Sequence, residues 1–125
     1  MLQSVRLGML LAAGAWLLAG SVEASGSIGT GAGKVSPRAA YSQGKALTFN
    51  EMVCDDCPLQ KSDLDRERAA SLTASLEAVY EGGQAAAGDA EAVRALCGGG
   101  ATADDEECAL RMELVHYFLS RRYKL

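Results

Sequence analysis

The sequence predicts a small all-α domain of about four helices over residues 37–125, stabilised by disulfides. Apolar residues recur at helical spacing in several segments, and no segment alternates polar and apolar residues as a half-buried strand would. The four cysteines lie in two pairs, Cys54/Cys57 and Cys97/Cys108. A chain of 125 residues holds one domain with a modest hydrophobic core, which cross-links would help to stabilise.

Residues 1–24 have the three parts of a secretory signal peptide. Arg6 gives a positive start, Leu7–Gly20 is an uncharged apolar run, and Ala24 ends a stretch of the kind that signal peptidase cleaves. The apolar run is shorter than the roughly 20 residues that span a bilayer, and Ser21 stands where a lipoprotein would need cysteine. We expect cleavage after Ala24, a periplasmic or secreted protein and no stable membrane anchor after cleavage; a retained anchor is the alternative.

The charge balance bears on the class of partner. The chain has 16 acidic and 12 basic residues, and its net charge is −4. An acidic protein is a poor partner for nucleic acid, because phosphate binding needs a clustered positive surface. The clearest basic cluster is Arg121, Arg122 and Lys124, which we expect to complement the dipole at the end of the last helix.

The first two helices have recognisable start signals. Residues 25–36 are rich in glycine and serine and predict a flexible linker. Ser36-Pro37 then supplies a cap and a first helical residue for a helix that runs to about Met52. Gly44, in the middle of this helix, predicts close contact with another backbone. Ser62-Asp63-Leu64-Asp65 resembles a capping box and predicts the start of the second helix, which ends at Gly82.

The last two helices are separated by glycines. A third helix is expected to start near Asp89, to bury Val93 and Leu96, and to stop at Gly98. Thr102 is the predicted cap of the fourth, whose first turns carry acidic residues that suit a helix N-terminus. The apolar face of this helix is predicted to comprise Leu110, Leu114, Val115, Phe118 and Leu119.

The cysteines predict a disulfide framework, since thiols oxidise outside the cytosol. Four cysteines allow three pairings, of which we favour one that includes Cys97–Cys108. Its loop of about a dozen residues is worth roughly 3 kcal/mol in the chain-entropy model. A Cys54–Cys57 bond would close a very tight loop and would be the more reducible of the two.

Three chemical roles compete with a structural one for Cys54 and Cys57. Thiol–disulfide exchange needs a stabilised thiolate, which the neighbouring Asp55 and Asp56 disfavour. A zinc site would use all four cysteines, but the ten residues between Cys97 and Cys108 do not match the usual spacing. Covalent haem attachment uses C-x-x-C-H, and here Pro58 replaces the histidine.

The segment Gly44-Lys45-Ala46-Leu47-Thr48-Phe49, followed by Cys54-x-x-Cys57, resembles the opening helix and haem motif of class I cytochromes c. The stretch Leu114–Leu119 is similar to the final helix of that family. The resemblance implies that the first and last helices pack together, with Tyr117 as the partner of Gly44 or Phe49. Tyr41-x-x-Gly44-Lys45 and the C-terminal stretch Tyr117–Tyr123 also resemble a group of uncharacterised exported bacterial proteins.

The chain departs from the cytochrome pattern at the iron ligands. Pro58 takes the place of the histidine, and neither Met52 nor Met112 lies where the family has its second ligand. The single histidine, His116, falls in the predicted last helix, where we expect a surface or half-buried residue. The resemblance therefore implies a relative without haem, in which the cysteines are structural.

No combination of residues predicts a catalytic, cofactor or metal site. We expect an exported helical accessory or protein-binding domain with an unidentified protein partner, and not an enzyme. The first alternative is a periplasmic redox protein that uses Cys54 and Cys57 for cytochrome-like electron transfer or thiol–disulfide exchange. The second alternative is a zinc-stabilised module.

Overall fold

The computed structural model describes residues 35–99 and 105–125, so the predicted signal peptide and most of the predicted linker lie outside the described residues. Helix α1 spans Pro37–Leu47 and continues as a π-helical turn over Thr48–Met52. After a short 3₁₀ turn come α2 at Arg66–Tyr80, α3 at Ala90–Leu96 and α4 at Glu106–Tyr123. The described residues form no strand beyond one isolated bridge, which confirms the all-α prediction.

Helix α1 begins where the sequence predicts. The Ser36 hydroxyl accepts a hydrogen bond from the Ala39 N–H at 3.1 Å, and Pro37 occupies the first turn. The helical path reaches Met52, but its last turn is wider than an α-helix, because the Val53 N–H donates to the Thr48 carbonyl at 2.8 Å. This turn brings Met52 and Val53 into the core, where both are fully buried.

Helix α2 begins three residues later than predicted. The Ser62 cap is wrong: the Asp65 carboxylate caps the helix by accepting from the Arg68 N–H at 2.8 Å. Ser62 and Asp63 instead belong to the 3₁₀ turn Lys61–Asp63. Leu64 separates the two turns with an extended backbone and packs against the core, so the helix can start only after it.

Helix α4 begins at a different cap from the one predicted. The Asp105 carboxylate accepts hydrogen bonds from the N–H groups of Glu107 and Cys108, at 2.9 and 3.3 Å. Thr102 lies outside the described residues and is not the cap, because Asp105 holds that position. The charge order is as predicted, with Glu106 and Glu107 in the first turn and arginines in the last.

Helices α1 and α4 approach each other closely at Gly44. A Cβ atom on Gly44 would overlap the Leu114 carbonyl oxygen and lie 2.8 Å from the Phe118 Cβ. The prediction of a close backbone contact is confirmed. The prediction that Tyr117 is the aromatic partner is wrong, because Phe118 faces α1 and Tyr117 lies about 100° further round the helix.

The core lies between the four helices and includes Ala92, Val93 and Leu96 of α3. Phe118 is its largest side chain and makes edge-to-face contacts with Tyr41 and Phe49, at centroid distances of 5.0 and 5.9 Å. Four of the five predicted apolar residues of α4 are buried; Leu110 is the exception, being 38% exposed. Among the described residues, no helix is long and apolar enough to cross a membrane.

Candidate functional site

The four cysteines form two disulfides, Cys54–Cys57 and Cys97–Cys108. The second is the pairing that the sequence favoured, and it ties the end of α3 to the first turn of α4. Since all four sulfurs are bonded in pairs, they cannot act together as thiolate ligands for zinc. Among the described residues, no group of three His, Cys, Asp or Glu side chains is arranged to hold a metal ion.

The Cys54–Cys57 disulfide lies in a turn directly after the π-helical segment. Backbone hydrogen bonds hold this turn: the Cys54 N–H donates to Leu59 at 3.0 Å, and the Leu59 N–H donates to Met52 at 3.1 Å. Asp55 and Asp56, at the tip, are exposed. A thiolate here would face the negative end of a helix dipole and two carboxylates, so the surroundings disfavour the reactive form of the cysteine.

The residues around the C-x-x-C turn do not fit a haem. Pro58 occupies the position of the axial histidine, and both cysteine sulfurs are bonded to each other. His116 Nε2 lies 2.9 Å from a Glu77 carboxylate oxygen, so the imidazole links α4 to α2. Met112 is fully buried within the hydrophobic core.

A buried carboxylate network centres on Asp89, which the sequence suggested only as the start of α3. Its oxygens accept from Arg68 at 3.0 Å, Ser71 at 2.6 Å and Ser75 at 2.7 Å, and the side chain is fully buried. The Ser75 hydroxyl also accepts from the Ala86 N–H at 3.0 Å. The network fixes the α2–α3 connection against α2 and leaves no Asp89 oxygen accessible for acid–base chemistry.

A second polar contact joins the end of α2 to α4. The Tyr80 hydroxyl donates to the Glu113 carboxylate at 2.9 Å. This hydrogen bond raises the pKa of the Tyr80 phenol above its ordinary value, and burial and the negative charge of Glu113 act in the same direction. Tyr80 therefore stays protonated in the folded protein and serves as a structural donor.

An open cavity of about 470 Å³ lies beside the Cys97–Cys108 disulfide, between α2 and α3. Val79, Ala85 and Val93 contribute to its walls. Arg94 also lines it, but the guanidinium is bonded to Glu91 at 2.8 Å. This cavity thus offers apolar surface with no unpaired charge among the described residues that line it.

The surface cavity with the most distinctive chemistry lies between α1 and α4 and has a volume of about 480 Å³. We call it the α1–α4 groove. Two arginines, two tyrosines and no acidic side chain are among the described residues that line it: Pro37, Arg38, Tyr41, Ser42, Tyr117 and Arg121.

The groove was missed by sequence reasoning, although four of its residues had been singled out for other reasons. Pro37 had been identified as the first residue of the first helix. Tyr41 and Tyr117 belong to the patterns that carry the family resemblances, and Arg121 was assigned to the helix dipole. Arg121 does lie in the last turn of α4, and its guanidinium also lies 5.7 Å from the centre of the Tyr117 ring. Tyr117 and Arg121 are four residues apart, and this helical spacing was the one signal in the sequence for their contact.

The chain matches no protein-family model, no curated protein and no solved structure. The resemblance to class I cytochromes c therefore stays a prediction based on the sequence patterns alone.

Proposed function

We propose that this chain is an exported, non-enzymatic helical domain that acts by binding another protein and carries no haem. The observation that carries the proposal is the α1–α4 groove. It exposes tyrosine and arginine, two of the residue types most enriched in the energetically important parts of protein interfaces.

The scaffold around the groove is suited to binding. Gly44 allows α1 and α4 to approach closely, and the Tyr41 ring packs edge-on against the buried Phe118. The Cys97–Cys108 disulfide joins α3 to α4, and the Asp89 network joins the start of α3 to α2. A surface that is already ordered loses little conformational entropy when a partner binds, which favours affinity.

The disulfides also support a location outside the cytosol. Disulfides persist mainly in oxidising compartments, outside the cytosol. Together with the signal-like sequence of residues 1–24, they favour a periplasmic or secreted protein from which the signal has been removed after Ala24.

Site-specific photo-crosslinking in the native cells tests the binding function. A benzoylphenylalanine would replace Ser42, an exposed residue of the groove, and in a matched variant would replace Glu91, an exposed residue of α3. We expect a discrete crosslinked protein from position 42 and none from position 91. Absence of a crosslinked partner from both positions, in protein that is exported and folded, would contradict the binding function.

A redox role is the second candidate, because Cys54 and Cys57 are both partly exposed in a short turn. The two proposals differ in the reduction potential that they require. We expect the Cys54–Cys57 potential, measured in dithiothreitol buffers, to lie below about −300 mV, as for structural disulfides. A potential in the range of about −120 to −270 mV, with catalysis of insulin reduction, would favour the redox role.

A further inference from the structure

We propose that the α1–α4 groove binds an acidic peptide segment of the partner protein. This inference rests on the proposed binding function and specifies the chemistry of the partner. The groove has two arginines and no carboxylate among the described residues that line it.

The two arginines of the groove differ from others in the fold. Arg68, Arg94 and Arg111 each pair with a carboxylate, at 3.0, 2.8 and 3.1 Å. Arg38 and Arg121 form no ion pair with any described residue. An unpaired guanidinium beside a cavity is well placed to hold a carboxylate of a ligand through two parallel hydrogen bonds.

Positive charge extends beyond the groove at the same end of the molecule. The Arg66 guanidinium donates to the Lys124 carbonyl at 3.0 Å, so the start of α2 meets the end of α4. Arg122 also lies in the last turn of α4. Asp65 and Glu67 at the start of α2 offset part of this charge, so the attraction of an acidic segment rests on Arg38 and Arg121 in the groove, where no acidic side chain lies among the described lining residues.

The first turn of α1 adds to this field. It contains Arg38 and no acidic residue, although the first turns of α2, α3 and α4 all contain glutamate. A cation at this position is not stabilised by the helix dipole, which is positive at the N-terminus. The helix dipole and the Arg38 guanidinium therefore both attract a bound anion.

The shape of the groove favours a peptide over a membrane surface. Tyr41 and Tyr117 line a recess of about 480 Å³, which can receive side chains of an extended segment. An anionic bilayer is broad, and it would also meet the acidic remainder of the protein, with repulsion between like charges. A peptide can place carboxylates against the arginines and apolar groups against the tyrosine rings.

The test uses the exported, disulfide-bonded protein and two labelled peptides. One is Glu-Asp-Leu-Glu-Asp-Leu, and the other replaces each acid by its amide, giving Gln-Asn-Leu-Gln-Asn-Leu. Binding is followed by fluorescence anisotropy, and the site is mapped by amide chemical shifts of labelled protein. We expect the acidic peptide to bind at least about tenfold more tightly, with shifts concentrated in α1 and the end of α4.

Three matched variants locate the binding energy. Arg38→Gln and Arg121→Gln should each weaken binding of the acidic peptide about tenfold. Arg122→Gln removes the same charge from the same helix turn but lies outside the groove lining, and should weaken binding by less than about threefold. All three side chains are exposed, and circular dichroism checks that each variant is folded.

Three results would overturn the proposal: equal binding of the acidic and amide peptides, equal loss in all three variants, or binding only to phosphatidylglycerol vesicles. The crosslinking experiment distinguishes a wrong assignment of the groove from a wrong assignment of the binding function. A partner that crosslinks from position 91 and not from position 42 would refute the groove assignment and leave a protein-binding function in place.

Discussion

Replacing Gly44 by alanine tests the contact that sets the distance between α1 and α4. The new Cβ would overlap the Leu114 carbonyl oxygen and lie 2.8 Å from the Phe118 Cβ. Neither atom can move by a simple side-chain rotation, because one belongs to the backbone and the other is attached directly to it. The helices would have to separate, which would loosen the packing of Phe118 against Tyr41 and Phe49.

The size of the effect follows from two opposing contributions. Alanine in place of glycine within a helix stabilises by about 1 kcal/mol. Overpacking of a buried contact costs about 1–3 kcal/mol, and we take the upper end because a backbone atom is in the way. The expected net loss is about 2 kcal/mol, which corresponds to a fall in Tm of about 8–16 °C for a domain of this size.

Urea unfolding, followed by circular dichroism with both disulfides intact, measures the change. The single tryptophan, Trp16, lies in the predicted signal, so helix content is the appropriate signal. Ala46→Gly, at an exposed position of the same helix, is the control and should destabilise by about 1 kcal/mol through propensity alone. If Gly44→Ala stabilised the protein while Ala46→Gly destabilised it, propensity alone would explain both, and the packing argument would be refuted.

Three further predictions concern the cross-links and the polar contacts. Replacing the Cys97–Cys108 pair by serines should lower the free energy of unfolding by about 3 kcal/mol, against about 2 for the tighter Cys54–Cys57 loop; the reverse order in urea unfolding would contradict this. Asp89→Asn should cost about 2 kcal/mol, since the buried network loses its charge, and a change below about 0.5 kcal/mol would exclude that contribution. The raised pKa of Tyr80 stabilises the fold fully below about pH 10, and this contribution is lost as the pH rises through the folded-state value. Tyr80→Phe should therefore lower the free energy of unfolding by about 1 kcal/mol at pH 7, and its stability should fall less between pH 7 and 11 than that of the unsubstituted protein. If urea unfolding gave the two proteins the same pH dependence over this range, the result would be inconsistent with the contact.

Local signals were sufficient for the existence of the helices and for one of the disulfides. Ser36-Pro37 marked the first helix correctly, because both residues act through their immediate neighbours. The start of α2 was misplaced because Ser62 and Asp65 are both good caps. The choice between them depends on burial of Leu64 against residues distant in sequence, which no local pattern records.

The site features depend on contacts between distant segments. Asp89 has the sequence pattern of a helix start, but its partners Arg68, Ser71 and Ser75 lie 21, 18 and 14 residues earlier. The groove likewise joins the first turn of α1 to the end of α4. Sequence analysis identified four of its residues one at a time, and only the packing of α1 on α4 brings Arg38 beside Tyr117 and Arg121.

The central claim is that the cysteines form structural disulfides in a domain that carries no cofactor and binds a partner protein through its surface. The most direct single measurement is the intact mass of the exported protein, under native and denaturing conditions, before and after reduction. We expect a chain beginning at Ser25 that gains two hydrogens for each of its two disulfides on reduction, with no added group. A mass that includes haem or zinc, or free thiols at Cys54 and Cys57, would contradict the claim and place the function at the C-x-x-C turn.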